Sequence, residues 1–161
     1  HYQIAASMSK ELKVILLVLL GIAIVIQFIP SNRPDNDPPA GYDFFEANNV
    51  PENVEALIRA SCFDCHSQEV NYPWYAYVAP TSWLVSRDVR IGRSQLDFSN
   101  WDQLEIKDKL KLAGEIGEEV DMETMPMAIY VLMHREADLD RETRDLIVEW
   151  SEDLAEQAFG E

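Results

Sequence analysis

The chain reads as an all-α protein, a helical head behind one N-terminal transmembrane helix. Three observations predict this. Val14 to Ile26 (VILLVLLGIAIVI) is an unbroken apolar run, apolar residues beyond position 50 recur at three- and four-residue spacing, and period-two alternation is nowhere sustained. The resulting division is an extension over residues 1–11, an anchor over 12–29, a Pro-rich linker over 30–41 and a globular domain over 42–161.

The apolar run taken alone has the length of a signal-peptide core. Counted from Leu12 to Ile29 it reaches 18 residues, near the lower limit for a spanning helix. No small-x-small cleavage site follows in QFIPSNRPDNDPP, and no cysteine follows directly to accept a lipid, the first being Cys62. An uncleaved anchor is the expectation. Lys10 and Lys13 before the run, against Arg33 after it, favour a cytoplasmic N-terminus. Residues 30–41 (PSNRPDNDPPAG) hold four prolines, two asparagines and two aspartates, the composition of an extended, semi-rigid spacer.

Within the domain, Pro51-Glu52-Asn53 opens a helical segment with Val54, Leu57 and Ile58 at helical spacing, running into Cys62. Residues 71–80 (NYPWYAYVAP) form an aromatic loop punctuated by proline. Pro80 suits the first turn of the next helix, which carries Leu84, Arg87, Asp88 and Ile91 on one face. Ser99-Asn100-Trp101-Asp102 reads as an S-x-x-D helix start. Ile106, Leu110, Ala113, Ile116 and Val120 then mark a long amphipathic stripe. Asp140 caps a last helix whose buried face is Leu146, Ile147, Trp150 and Leu154.

Charge limits the function. The chain carries a formal charge of −16, and residues 31–161 hold 11 Lys and Arg against 28 Asp and Glu, a balance of −17. A phosphate backbone needs a basic face, so nucleic acid is excluded as a partner. Such a charge suits solubility and steering toward a basic partner, the alternative being a solvated acidic surface with no docking role.

Cys62-Phe63-Asp64-Cys65-His66 carries the chemistry. Thiols spaced C-x-x-C can form thioethers with the two vinyl groups of one haem, and a histidine immediately after them is aimed at the iron. A structural zinc site needs four ligands, and only His134 remains as a plausible histidine beyond the motif. A thioredoxin-type pair belongs beside a strand of a mixed sheet. A plain disulfide leaves His66 without a role. The expected cofactor is therefore one covalently attached haem c held by Cys62, Cys65 and His66. Covalent attachment to C-x-x-C-H takes place outside the bacterial cytoplasm, which puts the head on the periplasmic face of the cytoplasmic membrane.

The stretch SCFDCHSQEVNYPWYAYVAPTSWLVSRDVRIGRSQLDFSNW, with MPMAIYVLMHREADL after it, resembles the small bacterial haem-binding-domain proteins that have one C-x-x-C-H. The resemblance covers roughly residues 27–152, and the C-x-x-C-H, PWY, SW and MP elements carry it. It implies a cytochrome-c-like helical head, often behind one membrane anchor.

A sixth iron ligand, usually methionine, raises the reduction potential of such carriers. The candidates are Met122, Met125, Met127, Met133 and His134. Met125 is favoured: Pro126 biases it away from helical geometry, and it falls in the MP element of the resemblance. Trp74, Tyr77 and Trp83 are expected against the macrocycle or its propionates. Arg87, Arg90 and Arg93 form the densest basic cluster of an acidic head, and propionate pairing suits one of them. The alternative for each is an ordinary core aromatic or an arginine neutralising nearby acids.

No paired carboxylates and no nucleophile–base arrangement stand out, so an enzyme is not expected. The reading is a one-electron carrier tethered to the membrane, meeting redox proteins or serving within a respiratory or photosynthetic membrane complex. A haem sensor or peroxidase-like protein with an open distal iron site is the alternative.

Overall fold

The computed structural model of the chain describes residues 9–160, so residues 1–8 of the expected N-terminal extension lie outside the described residues. The described residues fold into α-helices and short 3-10 turns without a strand, and the protein is all-α. Two compact units are distinguished. One contains the residues up to 33 together with 73–87, the other residues 34–72 together with those from 88 onward.

In the first unit, helix α1 (Lys10–Val25) starts on Ser9, whose Oγ accepts the Leu12 N–H at 3.3 Å. It continues as a 3-10 turn over Ile26–Phe28 and stops ahead of Pro30. Lys10–Phe28 is 19 residues long and none of it is buried. At 1.5 Å per residue it reaches about 28 Å, close to the thickness of a bilayer's hydrocarbon core. Among the described residues it is the helix long and apolar enough to cross a membrane. Gln27 is the polar interruption near its end, and its side chain is fully used. Nε2 donates to the Ala23 carbonyl at 2.9 Å and the Ala79 carbonyl at 3.1 Å, while Oε1 accepts the Ala79 N–H at 2.9 Å. This unit also holds a 3-10 turn at Trp74–Tyr77.

The second unit opens with helix α2 (Phe44–Ala47), capped by Asp43, which accepts the N–H groups of Phe45 and Glu46 at 2.8 and 3.0 Å. Helix α3 (Glu52–Ser61) follows Pro51 and buries Val54 and Ile58 as its spacing predicts. Helices α6 (Ile106–Asp121) and α8 (Arg141–Gly160) form the most extensive helix pair. Gly117 lets them approach: a Cβ there would sit 2.5 Å from Ser151 Oγ. Asp140 accepts the Thr143 N–H at 2.9 Å at the head of α8, the expected cap. The core joins Phe44, Phe98, Trp101, Ile116, Ile147, Trp150 and Leu154. Phe44 sits at its centre, 4.7 Å from Phe98 and 5.7 Å from Trp101 between ring centroids. Burying each such ring contributes roughly 1.5–3 kcal/mol.

Four details differ from the sequence reading. The Ser99 hydroxyl does not cap a helix, because it accepts the Gln68 N–H at 2.8 Å. Asp97 instead caps a 3-10 turn at Phe98–Gln103, accepting from Ser99 N–H at 3.1 Å. The buried face of α6 departs from the expected stripe, with Ile106 exposed, Leu110 half-buried and Lys109, Ala113, Ile116, Gly117 and Val120 buried. In helix α5 (Thr81–Gln95), Leu84, Arg87 and Ile91 face solvent while Ser82, Ser86, Val89 and Gly92 are buried. Small side chains are selected wherever a helix must approach another backbone closely. Finally, the Pro-rich stretch is extended but not a free spacer. Asn36 exchanges two hydrogen bonds with the Val70 backbone at 2.8 and 3.0 Å, and the Tyr72 hydroxyl donates to the Pro34 carbonyl at 2.7 Å.

Candidate functional site

Helix α3 ends at Cys62, whose φ of −126° breaks the helical path, and a four-residue helix α4 (Phe63–His66) follows at once. The Cys62 carbonyl accepts the N–H groups of both Cys65 (3.1 Å) and His66 (3.0 Å), so the motif closes into one tight turn. The two residues between the cysteines anchor it from opposite sides. Phe63 is buried against Phe45 and Phe98, at 5.0 and 5.9 Å between centroids, and the Arg59 guanidinium lies over the Phe45 and Phe63 rings. Asp64 points the other way, accepting from the Asn71 N–H and the Tyr130 hydroxyl, each at 3.0 Å.

His66 Nδ1 lies 3.1 Å from the Leu96 carbonyl oxygen. A carbonyl can only accept, so Nδ1 carries the proton and donates, which leaves the Nε2 lone pair available to a metal. Burial also holds the imidazole below its ordinary pKa, opposed by its bonding to the Leu96 and Gly92 carbonyls and by Asp97. Low basicity keeps the ring in the neutral, ligating form.

Cys62 and Cys65 are both free thiols, half-buried and not bridged to each other. Burial pushes Cys62 up to about 11, and burial with the charges of Asp64 and Asp88 pushes Cys65 up to about 12. A dithiol oxidoreductase needs a depressed thiol pKa, and the shift here has the opposite sign. A structural zinc site also lacks support: among the described residues no three His, Cys, Asp or Glu side chains converge on one point.

The later part of α5 packs directly on this motif. A Cβ at Gly92 would lie 2.5 Å from the Cys65 carbonyl oxygen. Arg93 clamps the residue after His66: Nε donates to the Ser67 carbonyl at 2.7 Å, Nη1 to the Asp35 carbonyl at 2.9 Å and Nη2 to Asn36 Oδ1 at 3.2 Å. Its guanidinium therefore holds the Ser67 and Asp35 backbone and the Asn36 side chain, a use that its place beside Arg87 and Arg90 in the sequence does not indicate.

Met125 lies in the loop between α6 and helix α7 (Ala128–Met133). Its main chain is held at both ends. Its N–H donates to the Glu119 carbonyl at 3.1 Å, and its carbonyl accepts from Arg144 Nη1 at 3.1 Å. Arg144 also donates to the carbonyls of Val120 (2.9 Å) and Leu139 (3.1 Å), making it the organiser of this loop. Met127 caps α7 without a side-chain bond, and Met122 and Met133 are exposed. His134 stacks on Tyr130 at 4.1 Å between centroids, with Nδ1 3.2 Å from Glu136 Oε1.

The structure thus gathers Cys62, Cys65 and His66 into one turn, and Met125 and the exposed Arg90 belong to the same compact unit. Trp74, Tyr77, Trp83 and Arg87 belong to the other. There, Trp74 is 74% exposed, Arg33 lies 4.0 Å over the Tyr77 ring, and Trp83 Nε1 donates to the Ile29 carbonyl at 3.2 Å. Residues that sequence reading did not identify as site-building are Phe63, Asp64, Gly92, Leu96, Tyr130 and Arg144. The one available signal was the recurrence of small residues at Ser82, Ser86 and Gly92 along one side of α5.

A protein-family model described as a haem-binding domain matches residues 21–153. No curated protein and no solved structure matches the chain.

Proposed function

Since the chain belongs to the haem-binding domain family, we propose that it is a monohaem c-type cytochrome that passes single electrons at the outer face of the cytoplasmic membrane. The haem iron supplies reversible exchange of one electron. Cys62 and Cys65 hold the group through thioethers, and His66 supplies the proximal nitrogen. The observation that carries the reading is the donor set itself. Two unbridged thiols share one turn with a histidine whose Nδ1–H is committed to the Leu96 carbonyl. That hydrogen bond sets the tautomer, orients the ring and raises the donor strength of Nε2.

The remaining roles follow from the chain's own residues. Met125 supplies the sixth ligand, its loop held by Arg144. Arg90 pairs with a propionate. The balance of −17 over residues 31–161 draws in a basic redox partner and repels acidic ones. The apolar helix Lys10–Phe28 keeps the head at the membrane, where it meets soluble redox proteins or a respiratory or photosynthetic complex. No catalytic activity is proposed.

Acid-acetone extraction tests the attachment. Haem should remain with the denatured polypeptide, and Cys62→Ala or Cys65→Ala should impair stable loading. Complete release from the wild-type chain would refute a c-type cytochrome. Potentiometric titration of the membrane-bound protein should then fit a single one-electron step.

A further inference from the structure

We propose that the Trp74–Val78 loop lies in the headgroup layer of the bilayer, as a second, interfacial contact beside the spanning helix. The proposal rests on the reading of Lys10–Phe28 as a membrane span. The observation behind it is that the loop is fastened to the end of that helix. Gln27 stands in its last turn, and the side-chain amide forms a two-way hydrogen bond with the Ala79 backbone, at 3.1 and 2.9 Å. Trp83 Nε1 adds a bond to the Ile29 carbonyl at 3.2 Å. A segment bonded to both Gln27 and Ile29 is held at the depth where the helix leaves the hydrocarbon.

What the loop presents at that depth suits the place. Trp74 is 74% exposed, Tyr77 61% and Val78 43%, next to Phe28 at 83%. Amphipathic rings of this kind concentrate at membrane–water interfaces, where the ring body meets acyl chains and the polar edge meets headgroups. Arg33, stacked 4.0 Å over Tyr77 with Nη1 donating to the Ala76 carbonyl at 3.3 Å, adds positive charge to the same surface. Charge patterning agrees. Val70 to Arg87 contains no Asp or Glu in a chain otherwise dominated by acids, so an anionic lipid surface does not repel this stretch. The pairing also accounts for Gln27 itself, since a carboxamide at the edge of hydrocarbon is costly unless its donors and acceptor are matched.

Site-directed photocrosslinking of the full chain in phosphatidylethanolamine–phosphatidylglycerol vesicles decides the matter. p-Benzoylphenylalanine is placed separately at Leu17, Trp74, Tyr77 and Phe159, all exposed side chains. Lipid adducts are expected at 17, 74 and 77 and not at 159. Adducts at 17 with none at 74 and 77 would overturn the interfacial contact while leaving the span intact. No adduct at 17 would remove the span, and the proposal with it. Adducts at 159 as strong as those at 74 would overturn a contact specific to this loop. A protein adduct at 74 or 77 in native membranes, with no lipid adduct there, would assign the patch to a protein neighbour instead.

Discussion

The Tyr130 hydroxyl sits 3.0 Å from Asp64 Oδ2 and 3.3 Å from the Ala60 carbonyl, joining α7 to the middle of the C-x-x-C-H turn. Burial and the neighbouring Asp64 charge push the phenol's pKa far above its ordinary value, so it remains a donor throughout the working pH range. The same ring stacks on His134. One side chain thus connects the C-x-x-C-H turn with the helix that follows Met125.

Tyr130→Phe keeps the ring and removes the donor. Stability should fall by about 1–3 kcal/mol, since Asp64 and Ala60 lose a partner in a half-buried place. Asp64→Ala should cost a similar amount. If the two are coupled as the geometry requires, the double variant will lose less than the sum, by at least about 0.5 kcal/mol. Urea unfolding of the three variants measures this. Simple additivity would mean that the bond contributes nothing.

Two glycines should respond to alanine with opposite signs. At Gly92 the new methyl would meet the Cys65 carbonyl oxygen at 2.5 Å, and backbone cannot step aside as a flexible side chain can. Gly92→Ala should destabilise by roughly 1–3 kcal/mol. At Gly114, in the interior of α6, nothing lies within 4 Å of the added atom. Gly114→Ala should stabilise by about 0.5–1 kcal/mol, because alanine loses less backbone entropy in a helix. Thermal unfolding separates the two, and equal shifts would contradict the close contact at Cys65.

The raised thiol pKa values set a pH dependence for the haem-free folded chain. Thiolate is the reactive form, and with Cys62 near 11 and Cys65 near 12 both are protonated at pH 8. Iodoacetamide should modify Cys62 about 100-fold and Cys65 about 1000-fold more slowly than an unperturbed cysteine, by the linkage of one decade per pKa unit. The rate should climb as pH rises past 10, and denaturant should restore ordinary reactivity at pH 8. Rapid labelling of the folded chain at pH 7 would show that the thiols are ionised after all.

Much of the fold is legible in the sequence. Val54 and Ile58 in α3, and Ile147, Trp150 and Leu154 in α8, were marked by period 3.6, and each is buried. The C-x-x-C-H turn was legible because it lies within five consecutive residues. What escaped are contacts that join distant positions, such as Tyr130 with Asp64 or Arg144 with Met125, since nothing local distinguishes those residues from others of their type. Helix α5 escaped for another reason. Apolarity drew attention to Leu84 and Ile91, but close approach to the Cys65 backbone is made by Gly92, and the buried face is the small-residue one.

Met125 carries the last prediction, which separates an electron carrier from a protein with an open iron site. Its backbone is fixed by Glu119 and Arg144, so its position does not depend on what its thioether touches. Thioether ligation gives ferric haem a weak charge-transfer band at the red end of the visible spectrum, and His/Met pairing raises the potential. Met125→Ala should abolish the band, lower the potential and admit cyanide or carbon monoxide to the iron. Met127→Ala and Met133→Ala should keep the band. A wild-type protein that lacks it and takes up carbon monoxide readily has no sixth protein ligand, which favours a gas sensor or peroxidase-like role. One that lacks it yet resists carbon monoxide has a nitrogen ligand, and His134→Ala then becomes the deciding variant. The His134 ring stacks on Tyr130, so Tyr130→Phe should also alter the spectrum in that case. With Met125 as the ligand, Tyr130→Phe should leave the band in place and change stability alone.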